Sequence, residues 1–77
     1  MSLIPLAMLP EGSRGVVKDV MGGRGAMRKL MAMGIVPGKE VVVLGNRGCA
    51  MLISVNGTKF VIGRGLAMKV MIDEKQI

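Results

Sequence analysis

The repeat of apolar positions changes several times along this chain, and each change marks an element. From Gly15 to Val20 the segment GVVKDV alternates with a period of two. Val16, Lys18 and Val20 share one face and Val17 and Asp19 the other, which predicts a strand. From Arg24 to Met33 the repeat becomes helical. Met27, Leu30 and Met31 fall on one inward stripe, widened by Ala26 and Met33, while Arg24, Arg28 and Lys29 point elsewhere. The stretch LMAMGIVPGKEVVVL, Leu30 to Leu44, then passes from helix to strand. Gly34 stands where a left-handed helix cap is wanted, Pro37 makes Val36 extended, and Gly38 permits a tight turn. The strand that follows is read from Glu40 to Leu44, with a turn over Asn46 to Gly48.

The second half reads as β throughout. Asn56-Gly57 is the strongest short-range hairpin signal, because a type I′ turn needs positive φ at both central residues. A two-residue loop fixes the pairing: Val55 with Thr58, Ile53 with Phe60, and Met51 with Ile62. The inward set is then Met51, Ile53, Val55, Phe60 and Ile62, with Ser54 and Lys59 paired on the wetter face. A slip of one residue would expose Phe60, so the register is held by burial. A buried Phe60 is expected to cost about 3–5 kcal/mol on truncation to alanine. Gly63 to Ala67 reads as a turn or single helical turn, and Lys69 to Ile72 as the last strand. Before all this, Leu6, Leu9, Pro10 and Gly12 suggest an opening segment that places two leucines in the core and then turns. The chain is thus expected to be mainly β: a small closed barrel of about five strands with one short inserted helix. It forms a single domain over residues 1–77, with 1–5 and 73–77 as loose termini.

Composition narrows what such a domain does. No apolar run approaches the roughly 20 residues of a bilayer-spanning helix. The start, MSLIPLAML, has no basic residue at its head and is interrupted by Pro5, so it makes a poor signal peptide. The single cysteine, Cys49, cannot form an internal disulfide and fits a reducing cytosol. These features predict a cytoplasmic protein. Lys and Arg number 11 against 5 Asp and Glu, a net charge of +6. That excess draws anionic partners: nucleic acid, an acidic membrane surface or an acidic protein.

Histidine is absent and Phe60 is the one aromatic residue. Without an imidazole to activate Cys49, and with the carboxylates scattered, no catalytic set is expected. Zinc or iron sites want clustered His, Cys or carboxylates, so no metal site or cofactor is expected either. Met31-Ala32-Met33 could attract a soft ion, but thioethers at helical spacing are read as core filler. The loop GGRGAMR lacks both the third glycine of a dinucleotide fingerprint and the Gly-Lys-Ser/Thr of a P-loop, and is read as a plain connection. Single-strand nucleic-acid binding on barrels uses aromatic platforms that this chain lacks. Its basic residues, including Arg14, Lys18, Arg47, Lys59 and Arg64, are dispersed and read as a solvated surface.

Taken together these residues resemble the ferrous iron transport protein A family (FeoA). The resemblance runs from Leu6 to Ile72. It rests on Leu6-x-x-Leu9-Pro10-x-Gly12, on Gly15-x-Val17-x-x-Val20, on Arg28 to Gly38 (RKLMAMGIVPG), and on Val61 to Val70 (VIGRGLAMKV). The string RxLMxMGIVPG is its specific part. The resemblance implies an SH3-like barrel and a cytosolic accessory of bacterial ferrous iron uptake, acting on the cytosolic domain of the membrane transporter that carries a GTPase domain. Family descriptions also attach transition-metal binding. The alternative is a small basic SH3-like module associated with nucleic acid or with an iron-dependent repressor, whose C-terminal domain shares the fold. For the transporter reading, the expected docking face is Arg24, Arg28 and Lys29 beside Ile35 and Val36 at the exposed end of the helix. An apolar anchor rimmed by charge divides affinity from steering. No nucleic-acid partner and no membrane insertion are expected, and the oligomeric state is left open.

Overall fold

The Asn56-Gly57 turn organises the second half of the chain. Its two residues have φ of 54° and 80°, as a type I′ turn requires. In the computed structural model, which describes residues 3–74, Val55 pairs with Thr58, Ile53 with Phe60 and Met51 with Ile62. This is the register expected from the sequence. The hairpin consists of β4 (Ala50–Val55) and β5 (Thr58–Gly63). Four further strands complete the described elements: β1 (Leu3–Pro5), β2 (Arg14–Val20), β3 (Glu40–Arg47) and β6 (Val70–Glu74). All pair antiparallel in one sheet of order β1-β6-β2-β3-β4-β5. Helix α1 (Arg24–Ala32) lies between β2 and β3, helix α2 (Arg64–Ala67) between β5 and β6, and a 3-10 turn over Leu6–Met8 follows β1.

A sheet with one apolar face must curl to bury it. β2 shifts register between Val17 and Asp19 against β6, and β3 between Val43 and Gly45 against β4. Such irregularities bend strands and sharpen their twist. The enclosed core takes alternate residues from every long strand: Val17, Val41 and Val43, then Met51, Ile53 and Val55, then Ile62, Val70 and Ile72. Leu6 and Leu9 join it, as the opening segment predicts. The end strands β1 and β5 are not ladder neighbours. Between them α2 packs on β5 and on the 3-10 turn, which packs on β6. The strands thus form a curled sheet that ends at β1 and β5, with α2 and the 3-10 turn packed beside its ends, not a barrel closed by hydrogen bonds.

Gly15 is required where β2 meets β6. A Cβ there would lie 2.5 Å from Ile72 Cγ2, 2.6 Å from the Asp73 carbonyl oxygen and 2.9 Å from Glu74 Cα. Two of those neighbours are backbone, so no side-chain adjustment makes room.

Several boundaries differ from expectation. Leu3–Pro5 is a strand on β6, and Asp73 and Glu74 belong to β6, so these parts of the termini are not loose. A three-residue strand lies below the length at which alternation can be read. Residues 1–2 and 75–77 lie outside the described residues. β3 continues to Arg47, beyond Leu44, with the turn at Gly48 and Cys49. No helix among the described residues is long and apolar enough to cross a membrane.

Phe60 faces Ile53 as expected but is only half-buried, packed against the rim of the core. Ile53→Ala, at a site with 0% exposure, is expected to cost about 2–5 kcal/mol, and Phe60→Ala about half of what a fully enclosed ring would cost. Parallel urea titrations check the order. A larger loss at Phe60 than at Ile53 would mean that the ring is enclosed.

Candidate docking surface

Helix α1 is anchored by little. Leu30 is its one buried side chain, with Ala26, Met27 and Met33 half-buried around it. Met31, expected to point inward, is 59% exposed. At about 100° per residue it lies one step round the helix from Leu30 and falls off the buried stripe. Ile35, expected as an exposed anchor, has 0% exposure. The cause is the way the helix ends. Met33 is the C-cap and Gly34 follows with φ of 80°. The Gly34 N–H donates to the Met31 carbonyl at 2.9 Å, and the Ile35 N–H to the Leu30 carbonyl at 2.9 Å. This paired closure, the Schellman motif, folds the chain back and sets the residue after the glycine against the last buried helical residue. Ile35 therefore covers Leu30 instead of facing solvent, and Val36 is half-buried.

The turn beyond is also fixed. Gly38 has φ of 96°, and the Lys39 N–H donates across it to the Val36 carbonyl at 3.1 Å. Gly38 N–H to Val17 carbonyl and Val17 N–H to Lys39 carbonyl, both 2.8 Å, tie the turn to β2.

Of the expected docking residues, Arg24, Arg28 and Lys29 are exposed on α1. Arg24, Arg28 and Met31 are spaced by four and three, so they form one outward stripe, while Lys29 lies on the other flank. The first turn of α1 holds no acidic residue and Gly23 provides no side-chain cap. The positive end of the helix dipole therefore adds to the Arg24 charge instead of being offset. The outcome is an exposed thioether at the end of a stripe that carries two guanidinium groups. That arrangement suits an acidic surface with an apolar contact, and no bond-making chemistry.

One polar cluster was not anticipated. Arg64, read from the sequence as part of a solvated basic surface, donates from Nε to the Gly48 carbonyl and from Nη1 to the Ala7 carbonyl, both at 2.9 Å. Its Nη2 donates to Asn46 Oδ1. Asn46 Nδ2 in turn donates to the carbonyls of Leu9 at 2.7 Å and Ala7 at 3.2 Å. The pair pins the 3-10 turn, the β3–β4 turn and the start of α2 together, through bonds to backbone carbonyls and to each other. Partners this far apart in sequence leave no local signal.

Among the described residues no group of three His, Cys, Asp or Glu side chains could hold an ion. Cys49 is exposed and free.

The FeoA domain model matches residues 4–74 of this sequence. The chain belongs to the FeoA family. A Methanocaldococcus jannaschii protein described as "Putative Fe(2+) transport protein A" is 40% identical over 74 residues, covering 96% of this chain and 90% of that protein. A crystal structure of an iron uptake regulatory protein (FeoA) superposes with a TM-score of 0.92 at 37% identity, covering 96% of this chain and all of that one. The zinc complex of Stenotrophomonas maltophilia FeoA, described as a prokaryotic SH3 domain protein and a candidate ferrous iron transport activating factor, gives 0.79 at 26%, covering 99% and 98%. The fold of this FeoA domain is thus mainly β and SH3-like. A manganese-dependent transcriptional repressor also reaches 0.92, at 15% identity over 97% of this chain and 42% of that one, which shows a shared fold alone.

Two outcomes are expected here. Arg64→Ala and Asn46→Ala should each cost about 1–3 kcal/mol: Asn46→Ala leaves the part-buried Leu9 carbonyl unpaired, and Arg64→Ala removes the bonds to the Ala7 and Gly48 carbonyls and to Asn46 Oδ1. The double variant should lose less than the sum. Additive losses in urea unfolding would show that the side chains act separately. In anaerobic calorimetry, Fe(II) should give no saturable binding at micromolar concentration, since the ligand set of a tight site is missing. A one-to-one micromolar isotherm would contradict that.

Proposed function

We propose that this FeoA-family protein is a non-enzymatic accessory of ferrous iron uptake that works in the cytoplasm, by contact with the cytosolic domain of the membrane iron transporter carrying a GTPase domain. Family membership and the relatives named for Fe(2+) transport support the uptake role. The observation that carries the contact reading is the outward stripe of α1. Arg24, Arg28 and Met31 are exposed on a helix that gives the core a single fully buried side chain. Loops and appended elements on a rigid scaffold are where such contacts are usually built. Met31 replaces Ile35 as the apolar anchor, since an adaptable thioether fits an irregular partner surface, while Lys29 adds charge from the other flank of the helix.

Charge then governs encounter and the thioether governs residence. Arg28→Glu with Lys29→Glu should leave the fold unchanged by circular dichroism. Association with the transporter's cytosolic domain should slow, most at low ionic strength, because exposed charges are screened beyond roughly 8–10 Å at physiological salt. Met31→Ser should instead speed dissociation with little change in association. Rates equal to the parent's for both variants at low salt would place the contact elsewhere.

A further inference from the structure

β5 has β4 on one side and no strand on the other. The Val55–Thr58 pair closes a two-residue hairpin, so it is a hydrogen-bonded pair, and bonding alternates from there. Thr58, Phe60 and Ile62 direct their N–H and C=O groups to β4. Lys59, Val61 and Gly63 direct theirs away from the sheet. The same three residues are exposed, Val61 at 70%. Its cross-strand neighbour Leu52 is also exposed, at 38%, so the outer face of this edge carries an apolar pair. The opposite edge is unlike it: β1 has three residues and ends on Pro5, which has no N–H to offer.

We propose that β5 pairs antiparallel with β5 of a second copy of this chain, centred on Val61. In that register Val61 faces Val61 of the other copy in a hydrogen-bonded pair, and Lys59 faces Gly63 in the pairs on either side. The two Leu52-Val61 pairs then join into one continuous apolar strip across the outer face. Lysine on an edge usually guards against pairing. Here the centred register sets each Lys59 opposite a glycine rather than opposite its own charge, and a Cβ at Gly63 would meet nothing within 4 Å. Registers centred one residue away bring the wrong backbone edge together and turn Val61 from its partner. An edge of this length makes a small interface, so the dimer is weak and concentration-dependent. Two chains of net charge +6 repel, so salt strengthens this association. Docking of the α1 stripe on an acidic surface has the opposite salt dependence, which separates the two contacts experimentally.

The test is amide hydrogen exchange and sedimentation of the full chain from micromolar to millimolar concentration, at low and high salt. The amides of Lys59, Val61 and Gly63 should exchange on the order of tenfold more slowly at the concentrated end, where the dimer dominates. Those of Thr58, Phe60 and Ile62 are bonded to β4 at every dilution and should not change. Val61→Lys, at an exposed position, should keep the circular dichroism of the parent and abolish both the dimer and the added protection. A chain that stays monomeric at millimolar concentration in high salt overturns the proposal. So does a Val61→Lys variant that dimerises like the parent. Protection of the three amides only after another protein is added also overturns it, and assigns the edge to a foreign strand.

Discussion

A single sheet with an aliphatic inner face has to curl onto itself when the chain offers no second layer to cover it. That constraint shapes the rest of this molecule. The helix that might have formed a second layer contributes Leu30, and Ile35 beside it, to the core. Burial must therefore come from the strands, and curvature from their irregularities. The register shifts in β2 and β3 supply bends, and Gly15 allows β2 and β6 to approach without a side chain between them. Near the free ends of the sheet, α2 packs on β5 and on the 3-10 turn, which packs on β6. Arg64 and Asn46 are placed where those pieces meet. A guanidinium spent on backbone carbonyls at that seam satisfies groups that neither end strand can reach.

The same economy frees α1. A helix held by one buried side chain and a glycine closure keeps most of its surface for other uses. Its N-terminal charge runs against local stability: arginine at the first position, where the dipole favours an acid, and no acid in the first turn, although Lys29 in the last turn suits the opposite end. Local choices that conflict with stability tend to collect at functional positions. The basic excess of the chain thus has a focus, although most of it is spread over the surface.

What the sequence made legible was what local chemistry dictates. The hairpin register could be read to the residue because Asn56-Gly57 permits one turn type and period-two burial forbids a slip. The passage from α1 to β3 was legible because Gly34, Pro37 and Gly38 each restrict the backbone in a known way. The surface of α1 was only half legible. Arg24, Arg28 and Lys29 were placed correctly by helical spacing. Met31 and Ile35 exchanged places, because hydrophobicity alone does not fix the phase of a short helix whose stripe is wide. The glycine that caps it also reverses the chain, and that reversal carries Ile35 inward. The network around Arg64 was illegible, since its partners lie 16 to 57 positions away. β1 was too short to show a repeat.

Ile35 and Met31 also show how one closure decides which apolar side chain is buried and which is exposed. Had the helix continued through Gly34, Ile35 would lie five residues beyond Leu30 and about 140° round the helix from it, well away from the buried stripe. The core would lose a large side chain. The left-handed glycine moves Ile35 onto Leu30 at the cost of one strained-for-others backbone position, for which glycine has no Cβ to penalise. Once Ile35 seals the inner end of the helix, nothing requires Met31 to turn inward. The apolar residue left outside is then the flexible thioether, on the same stripe as Arg24 and Arg28, and not a β-branched side chain. The physical division is between a residue held by a backbone motif, which gives the core its shape, and a residue held by nothing, which can adjust to whatever approaches it.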